Sequence, residues 1–313
     1  MTQYRERYEQ IYGQLTRAEL QKGSRGLDEL SLGPELFGHD PELWLGFYTL
    51  EGLRTALEEY GLVDDLRRLG FEELDIEIGT SDPDEQLFRL HSTTPPVEDP
   101  LVELLVRRDF LHPRAPLADR IDQAPLPVLT VTWLMLQNPC APFNSRRPPL
   151  PGQEHPGLGV GLQVLEMLRN ICLRLDLAAL VTVPSYFHNA FFYSEEFFHF
   201  DPRRQGTFLA ICRDLMPKLK NDVTAASWAI YWEMVRDRNA DEDSPFRWFH
   251  ELMVAPVADG LVDYFQASSY HRDVQQSLTS HRFDVDRQAV KDKMRRRGLR
   301  PFDPEKIQTW INT

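Results

Sequence analysis

The chain has 313 residues, enough for one large domain or two modest ones with a sizeable core. It is 42% hydrophobic and 27% charged, as globular proteins are, and its 48 acidic and 35 basic side chains give a formal net charge of −13. This balance argues against nucleic acid or an anionic membrane as the main partner. Three widely spaced cysteines, no apolar signal segment and no run of about 18 apolar residues lead us to expect a cytoplasmic protein that does not enter membranes.

Residues 1–70 have the patterns of helices. Apolar side chains recur on one helical face over residues 4–15, and further helices are predicted over residues 42–60 and 63–69. A loop rich in glycine and proline, residues 23–41, separates the first helix from the second. We expect these helices to pack on the remainder of the chain.

After these helices the apolar period changes to that of strands. Alternating side chains predict strands over residues 74–78 and 86–91, and turn-forming residues between them predict a β-hairpin. Two more strands are predicted over residues 101–107 and 127–136. The last of these shows little polar alternation, which is typical of a central strand covered on both faces.

Gly157, Gly159 and Gly161 alternate directly before a helix predicted over residues 161–175. Glycine leaves room for a ligand at the backbone, and the first N–H groups of a helix favour an anion, so the spacing predicts a phosphate-binding turn. Close packing of a helix on a strand explains the same glycines equally well. An apolar strand over residues 177–183 follows, which predicts a right-handed crossover between parallel strands.

The remaining chain begins with an aromatic helix predicted over residues 187–193 and a strand over residues 197–200. Residues 203–313 are predicted to be helical, because apolar side chains recur there at helical spacing. Three helices are predicted in this region, over residues 206–219, 222–236 and 249–265. They are expected to pack on one another or across a homodimer interface.

The order of meander, strand, glycine turn, helix, parallel strand and aromatic helix resembles the GNAT superfamily of acyl-CoA-dependent N-acyltransferases. Gly157-Leu158-Gly159-Val160-Gly161 is similar to the pyrophosphate-binding turn of that family, and His188-Asn189-Ala190-Phe191-Phe192-Tyr193 is similar to its second signature. The resemblance covers residues 71–202 and implies an α+β fold with a mixed sheet, to which residues 1–70 and 203–313 are added. It also implies acetyl-CoA or a related acyl-CoA as cosubstrate and an amine as acyl acceptor.

The resemblance assigns cofactor binding to the glycine turn, the helix start, the end of strand 127–136 and two nearby side chains. These residues are Leu134, Met135, Leu136, Gln153, Gly157, Leu158, Gly159, Val160, Gly161, Leu162 and Asn189. In this interpretation the strand backbone polarises the thioester carbonyl, and Tyr193 is the acid that protonates the departing thiolate. A core aromatic residue is an equally good interpretation of Tyr193.

The sequence leaves the general base open, because the strand over residues 127–136 contains no carboxylate. Glu154, His155, His188 and His199 are the candidates, of which His188 is predicted to be a catalytic residue beside Tyr193. Deprotonation through solvent is a further possibility.

The sequence also departs from the family pattern. Pro156 stands where the family prefers arginine or glutamine, Asn189 and Ala190 are adjacent where the family separates them, and Phe197 replaces a glycine. These departures keep open a non-catalytic GNAT-like protein that binds an acyl ligand or a protein partner through its added helices. In a third interpretation, the glycines only pack a helix on the sheet of an unrelated α/β enzyme.

Overall fold

The computed structural model describes residues 4–23, 43–82, 84–112, 124–240 and 244–299. The helices are α1 Arg5–Gln14, α2 Arg17–Leu20, α3 Leu50–Glu59, α4 Leu62–Arg68, α5 Gly161–Arg174, α6 Phe187–Tyr193, α7 Pro202–Lys218, α8 Val223–Tyr231, α9 Asp259–Gln266, α10 Ser268–Ser280 and α11 Arg287–Arg296. The strands are β1 Glu73–Gly79, β2 Gln86–Thr94, β3 Val102–Leu111, β4 Leu126–Leu136, β5 Ala179–Thr182, β6 Phe198–His199, β7 Val235–Asp237, β8 Met253–Pro256 and β9 Phe283–Val285. In these ranges no helix has both the length and the apolar character needed to cross a membrane.

Seven strands form one mixed sheet in the order β1-β2-β3-β4-β5-β8-β6. β1 to β4 are an antiparallel meander, and β4 runs parallel to β5 through the crossover helix α5. β8 is antiparallel to both of its neighbours, β5 and β6. The predicted hairpin and the predicted parallel crossover are confirmed, and the fold is α+β with a mixed sheet.

Two corrections concern the region after residue 202. The helix predicted over residues 249–265 is wrong, because Met253–Pro256 is strand β8, which lies between β5 and β6 in the main sheet, and α9 begins only at Asp259. The first three residues of β8 are all buried, and a strand with two covered faces lacks the alternation that distinguishes strands from helices. The residues predicted to form a helical region therefore also complete the sheet.

The helix predicted over residues 222–236 ends early as well. α8 stops at Tyr231, and Glu233 has a φ of 57°, which is in the left-handed region that interrupts a helix. The chain then forms β7, which pairs with β9 in a separate two-stranded sheet.

Residues 43–49 form a turn, whereas the sequence predicts a helix from residue 42 onward. Leu45 and Gly46 have φ angles of 53° and 62°, and an α-helix does not contain such residues. α3 begins at Leu50, where the Thr49 side chain caps the helix by accepting the Gly52 N–H. The helical prediction is therefore correct only for the second half of its range.

Helices cover the two faces of the sheet unequally. Leu180 and Ala255, which lie opposite one another in β5 and β8, belong to the main core with α3 and α5. Val181 and Val254, on the other face, pack under α9 and α10 in a second core. On β1 to β4 this second face keeps alternate side chains partly exposed, and we call that area the open face. Its apolar members include Leu87, Leu105 and Trp133.

A buried ion pair holds α1 on the body of the protein. The Arg5 guanidinium donates to both carboxylate oxygens of Glu166 on α5, at 2.9 to 3.1 Å, and also contacts Glu196. The Arg5 and Glu166 side chains are only 10% and 3% exposed. The expectation that the N-terminal helix packs on the remainder of the chain is thus met by a specific polar contact.

Candidate functional site

The glycine turn lies between the end of β4 and the start of α5. The Leu158 N–H donates to the Leu136 carbonyl at 3.4 Å, and the Asn138 N–H donates to the Pro156 carbonyl at 2.7 Å. The residue at the N-cap position of α5, Val160, has no side chain that can accept a hydrogen bond from the first turn. The N–H groups that begin α5 therefore have no side-chain cap, which is the arrangement that suits an anion.

Packing does not account for all three glycines. A Cβ on Gly157 would lie 3.7 Å from the Leu136 carbonyl oxygen, and one on Gly161 would lie 3.8 Å from Leu136 Cδ1. Both distances are ordinary van der Waals contacts, so alanine would fit at either position. Gly159 differs, because its φ of 85° strains any other residue. Tight packing of α5 on the sheet is thus a poor explanation for Gly157 and Gly161.

Arg147 places a positive charge beside the turn. One guanidinium nitrogen lies 3.1 Å from the position that a Cβ on Gly159 would occupy. The Asn144 side chain accepts the N–H groups of Arg146 and Arg147, at 2.9 and 3.0 Å, and so fixes the loop from which this arginine extends. Among the described residues, no carboxylate forms an ion pair with Arg147.

Sequence reasoning missed Arg147, because its approach to Gly159 depends on the path of the proline-rich loop. The sequence instead suggested Gln153 as the side chain that replaces the arginine or glutamine missing at Pro156. The side-chain oxygen of Gln153 accepts the Leu150 N–H at 3.2 Å, so it closes its own loop.

β4 and β5 separate beside the glycine turn. Their pairing runs from Val128 with Ala179 to Val131 with Thr182, whereas β4 continues to Leu136. A β-bulge lies at the same point, since Thr132 is the extra residue between two pairs that β4 forms with β3. Beyond Val131, the side of β4 that faced β5 has no strand partner among the described residues, and the Leu136 carbonyl at its end accepts the Leu158 N–H of the glycine turn.

The second half of β4 corrects another expectation. The sequence predicted a strand covered on both faces, but Trp133 is 49% exposed and lies on the open face. Leu134, Met135 and Leu136 are half-buried. Of these three predicted cofactor-binding residues, Leu136 contacts the glycine turn, with which it shares a backbone hydrogen bond.

Tyr193 and Asn189 lie one turn apart on α6, across a narrow cleft from α5. Leu162 of the first α5 turn and Tyr193 both line this cleft, whose volume of about 20 Å³ suits about one water molecule. Burial raises the pKa of Tyr193, and a hydrogen bond from the Asn189 side chain opposes this effect. A raised pKa keeps the phenol protonated at neutral pH, as a general acid requires.

Asn189 also offers an unused acceptor. Its Oδ1 atom is buried and has no hydrogen-bond partner within the described part of the chain. Such an orphaned group is costly unless a ligand or a water molecule supplies a donor. The structure thus places Tyr193 and Leu162 on one cleft, next to the end of the glycine turn, and Asn189 in hydrogen-bond contact with Tyr193.

His188 points to a different environment. Its Nδ1 lies 2.8 Å from the Ser227 hydroxyl of α8, the residue is 5% exposed, and burial lowers its pKa to about 4. Burial also lowers the pKa of His199 to about 4, and that side chain is fully enclosed. Both rings are enclosed by the protein, so neither can contact a substrate amine, which argues against either as the general base.

The two buried histidines lead to a prediction about pH. An unfolded histidine titrates near pH 6.5, so between that value and about pH 4 the unfolded chain binds more protons than the folded chain. Stability is therefore fully present above about pH 6.5 and is lost as the pH falls toward 4. Each histidine is expected to remove about 2 kcal/mol of unfolding free energy between pH 7 and pH 5.

Urea unfolding of the wild type and of His199→Phe at pH 7 and pH 5 measures this effect. His199 is the better test because neither of its ring nitrogens has a hydrogen-bond partner in the described residues, and Phe208 and Phe249 lie beside the ring. We expect a smaller loss of stability in the variant, whereas the exposed control His271→Ala should behave as the wild type does. If the stability of His199→Phe depends on pH as that of the wild type does, the lowered pKa of His199 does not contribute to the loss of stability at low pH.

Comparison of the sequence with models of known protein families finds no match, and comparison with curated proteins finds no similar sequence. In the ranges given above, no three His, Cys, Asp or Glu side chains are grouped as metal ligands. The candidate site is therefore described by its geometry alone: an uncapped helix start, an adjacent arginine, a strand edge that separates from its neighbour, and a half-buried tyrosine and asparagine.

Proposed function

We propose that the protein is an N-acyltransferase that uses acetyl-CoA or a related acyl-CoA and is similar to the GNAT superfamily. The observation that carries this proposal is the separation of β4 from β5 directly beside the uncapped start of α5. The pyrophosphate of the cosubstrate would accept hydrogen bonds from the N–H groups of the glycine turn and the first turn of α5. Its thioester would then reach the open edge of β4.

The chemistry follows from this placement. A neutral amine attacks the thioester carbonyl, and a backbone N–H of β4 stabilises the oxyanion. The nitrogen then loses one proton to solvent and the C–S bond breaks, which gives an amide and the CoA thiolate. Tyr193 is the group we assign to protonate this thiolate, because its raised pKa keeps the phenolic proton available. Asn189 Oδ1 would accept an N–H of the pantetheine arm.

Arg147 supports the assignment of the pyrophosphate site. Pro156 lacks a backbone donor and a side-chain donor where the family prefers arginine or glutamine. The Arg147 guanidinium beside Gly159 offers a replacement charge of the right sign. Three unpaired cysteines agree with a reducing compartment, and we assign the reaction to the cytoplasm.

Titration of the full chain with CoA in a calorimeter tests the proposal. We expect saturable binding that weakens in Arg147→Ala and is retained in Arg146→Ala, since only the former side chain is placed against the turn. Absence of heat at millimolar CoA, together with no shift in the melting temperature, would refute the proposal.

Substitution of Tyr193 separates catalysis from binding. Tyr193→Phe removes only the hydroxyl, so CoA affinity should change less than about threefold while the rate of CoA release from acetyl-CoA in the presence of amines falls by about 100-fold. Phe191→Leu, on the same helix, is the control for packing. Full activity in Tyr193→Phe would assign this tyrosine to the core.

A second candidate function is a non-catalytic acyl-CoA-binding protein that meets a protein partner through its added helices. Two observations favour it: the cleft between α5 and α6 admits about one water molecule, and both buried histidines are enclosed away from any substrate. CoA binding without any CoA release across a broad amine panel would favour this alternative.

A further inference from the structure

An apolar row crosses the open face and ends where β4 and β5 separate. Gly79, Leu87, Leu105 and Trp133 are successive cross-strand partners in β1 to β4. Directly paired residues share a face of the sheet, so the three larger side chains form a continuous strip. Trp133 is 49% exposed, and Val183, the first residue after β5, is 44% exposed. Two exposed apolar side chains thus border the opening beside β4.

A carboxylate lies at the same place. The Thr132 hydroxyl, on the bulge residue of β4, donates to Glu85 Oε1 at 2.7 Å. Glu85 directly precedes β2 and is exposed, and its two-residue spacing from Leu87 places both on the open face. Although the strand over residues 127–136 contains no acidic residue, the turn between β1 and β2 therefore supplies one to its bulge.

Glu85 differs from the charged cluster around Arg89 on this face. Arg89 pairs with Glu103 at 2.7 Å and with Glu77 at 3.5 Å, and His91 lies 3.5 Å from Glu77. These groups neutralise one another, whereas Glu85 has no cationic partner in the described residues and is held only by a neutral hydroxyl. A carboxylate in this state can accept an external cation.

We propose that the acyl acceptor is a cationic amine on an apolar or aromatic body, bound on the open face with its ammonium group on Glu85 and its body on Trp133 and Val183. The Trp133 ring also favours a nearby cation. Glu85 then takes one proton from the ammonium group, the neutral amine forms the amide bond, and the C–S bond of the acyl-CoA breaks. The nitrogen loses a second proton as the amide forms; this proton balances the one that Tyr193 gives to the thiolate, and Glu85 returns its own proton to solvent. This inference rests on the proposed function, and it names both the substrate class and the base.

The binding test uses 2-phenylethylamine as probe and calorimetry of the full chain with saturating CoA. 3-Phenylpropionate carries a similar body with the opposite charge, and methylamine carries the charge without the body. Only 2-phenylethylamine is expected to bind, with a Kd that rises at least about tenfold in Glu85→Gln and in Trp133→Ala. The matched control is Glu77→Gln, on the same face, which should leave the Kd unchanged.

The kinetic test separates the base from mere binding. Glutamine can still accept the Thr132 hydrogen bond, so Glu85→Gln keeps the local geometry while removing the base. We expect kcat/KM for 2-phenylethylamine to fall by about 100-fold near pH 7 and to recover partly at high pH, where free amine accumulates. Circular dichroism of Glu85→Gln and Trp133→Ala should show unchanged folding, because the Glu85 and Trp133 side chains are both exposed.

The outcomes distinguish this inference from the function on which it rests. Absence of CoA binding to the wild type would refute the acyltransferase itself. Normal CoA binding with no binding of 2-phenylethylamine, equal binding of 3-phenylpropionate, or equal effects of Glu85→Gln and Glu77→Gln would overturn the acceptor class and leave the CoA site intact.

Discussion

Gly161→Asp is expected to fold at least as stably as the wild type and yet to bind CoA at least about 30-fold more weakly, a loss of ~2 kcal/mol. An added Cβ at this position has only one ordinary contact, at 3.8 Å from Leu136 Cδ1, so the side chain fits. A carboxylate in the first turn stabilises a helix through its dipole. The same charge would occupy and repel the position of the pyrophosphate.

The matched control is Gly161→Asn, which has nearly the same shape without the charge. CoA titration and urea unfolding of both variants separate charge from size. We expect the asparagine variant to lose much less affinity than the aspartate variant. If both variants bind CoA as the wild type does, the start of α5 is not the anion site, and the proposed placement of the cosubstrate is wrong.

Arg5→Ala is expected to lower the free energy of unfolding by about 3–5 kcal/mol. The reason is that Glu166, whose side chain is 3% exposed, would keep a buried charge without the guanidinium that now contacts both of its oxygens. Glu196 would lose its contact with the same arginine. Urea denaturation followed by circular dichroism measures the change.

Two companion variants make this result specific. Arg7→Ala removes an exposed arginine from the same helix and is expected to cost less than about 0.5 kcal/mol. In a Glu166→Gln background, Arg5→Ala should cost much less than it does alone, because position 166 then carries no charge for Arg5 to neutralise. Equal costs in both backgrounds would show that lost packing of α1, and not the ion pair, stabilises the contact.

The predictable parts of this fold are those that local patterns encode. Alternation over residues 74–78 and 86–91 specified the hairpin, and the apolar run after Gly161 specified α5. The sequence pattern did not predict β8, because Met253, Val254 and Ala255 are all buried. A strand without alternation cannot be told from a short apolar helix. Leu45 and Gly46 interrupted a helical pattern through backbone angles that a run of apolar side chains does not reveal.

For the candidate site, the sequence by itself determined the glycine turn, the helix that follows it and the aromatic helix with Asn189 and Tyr193. These features are contiguous, so spacing along the chain carries their signal. Only the tertiary structure decided that Arg147 lies on Gly159 and that Glu85 meets Thr132 at the bulge. Such contacts depend on how distant loops close over a twisted sheet. The free energy that selects them comes from burial of the whole core and has no local pattern in the sequence.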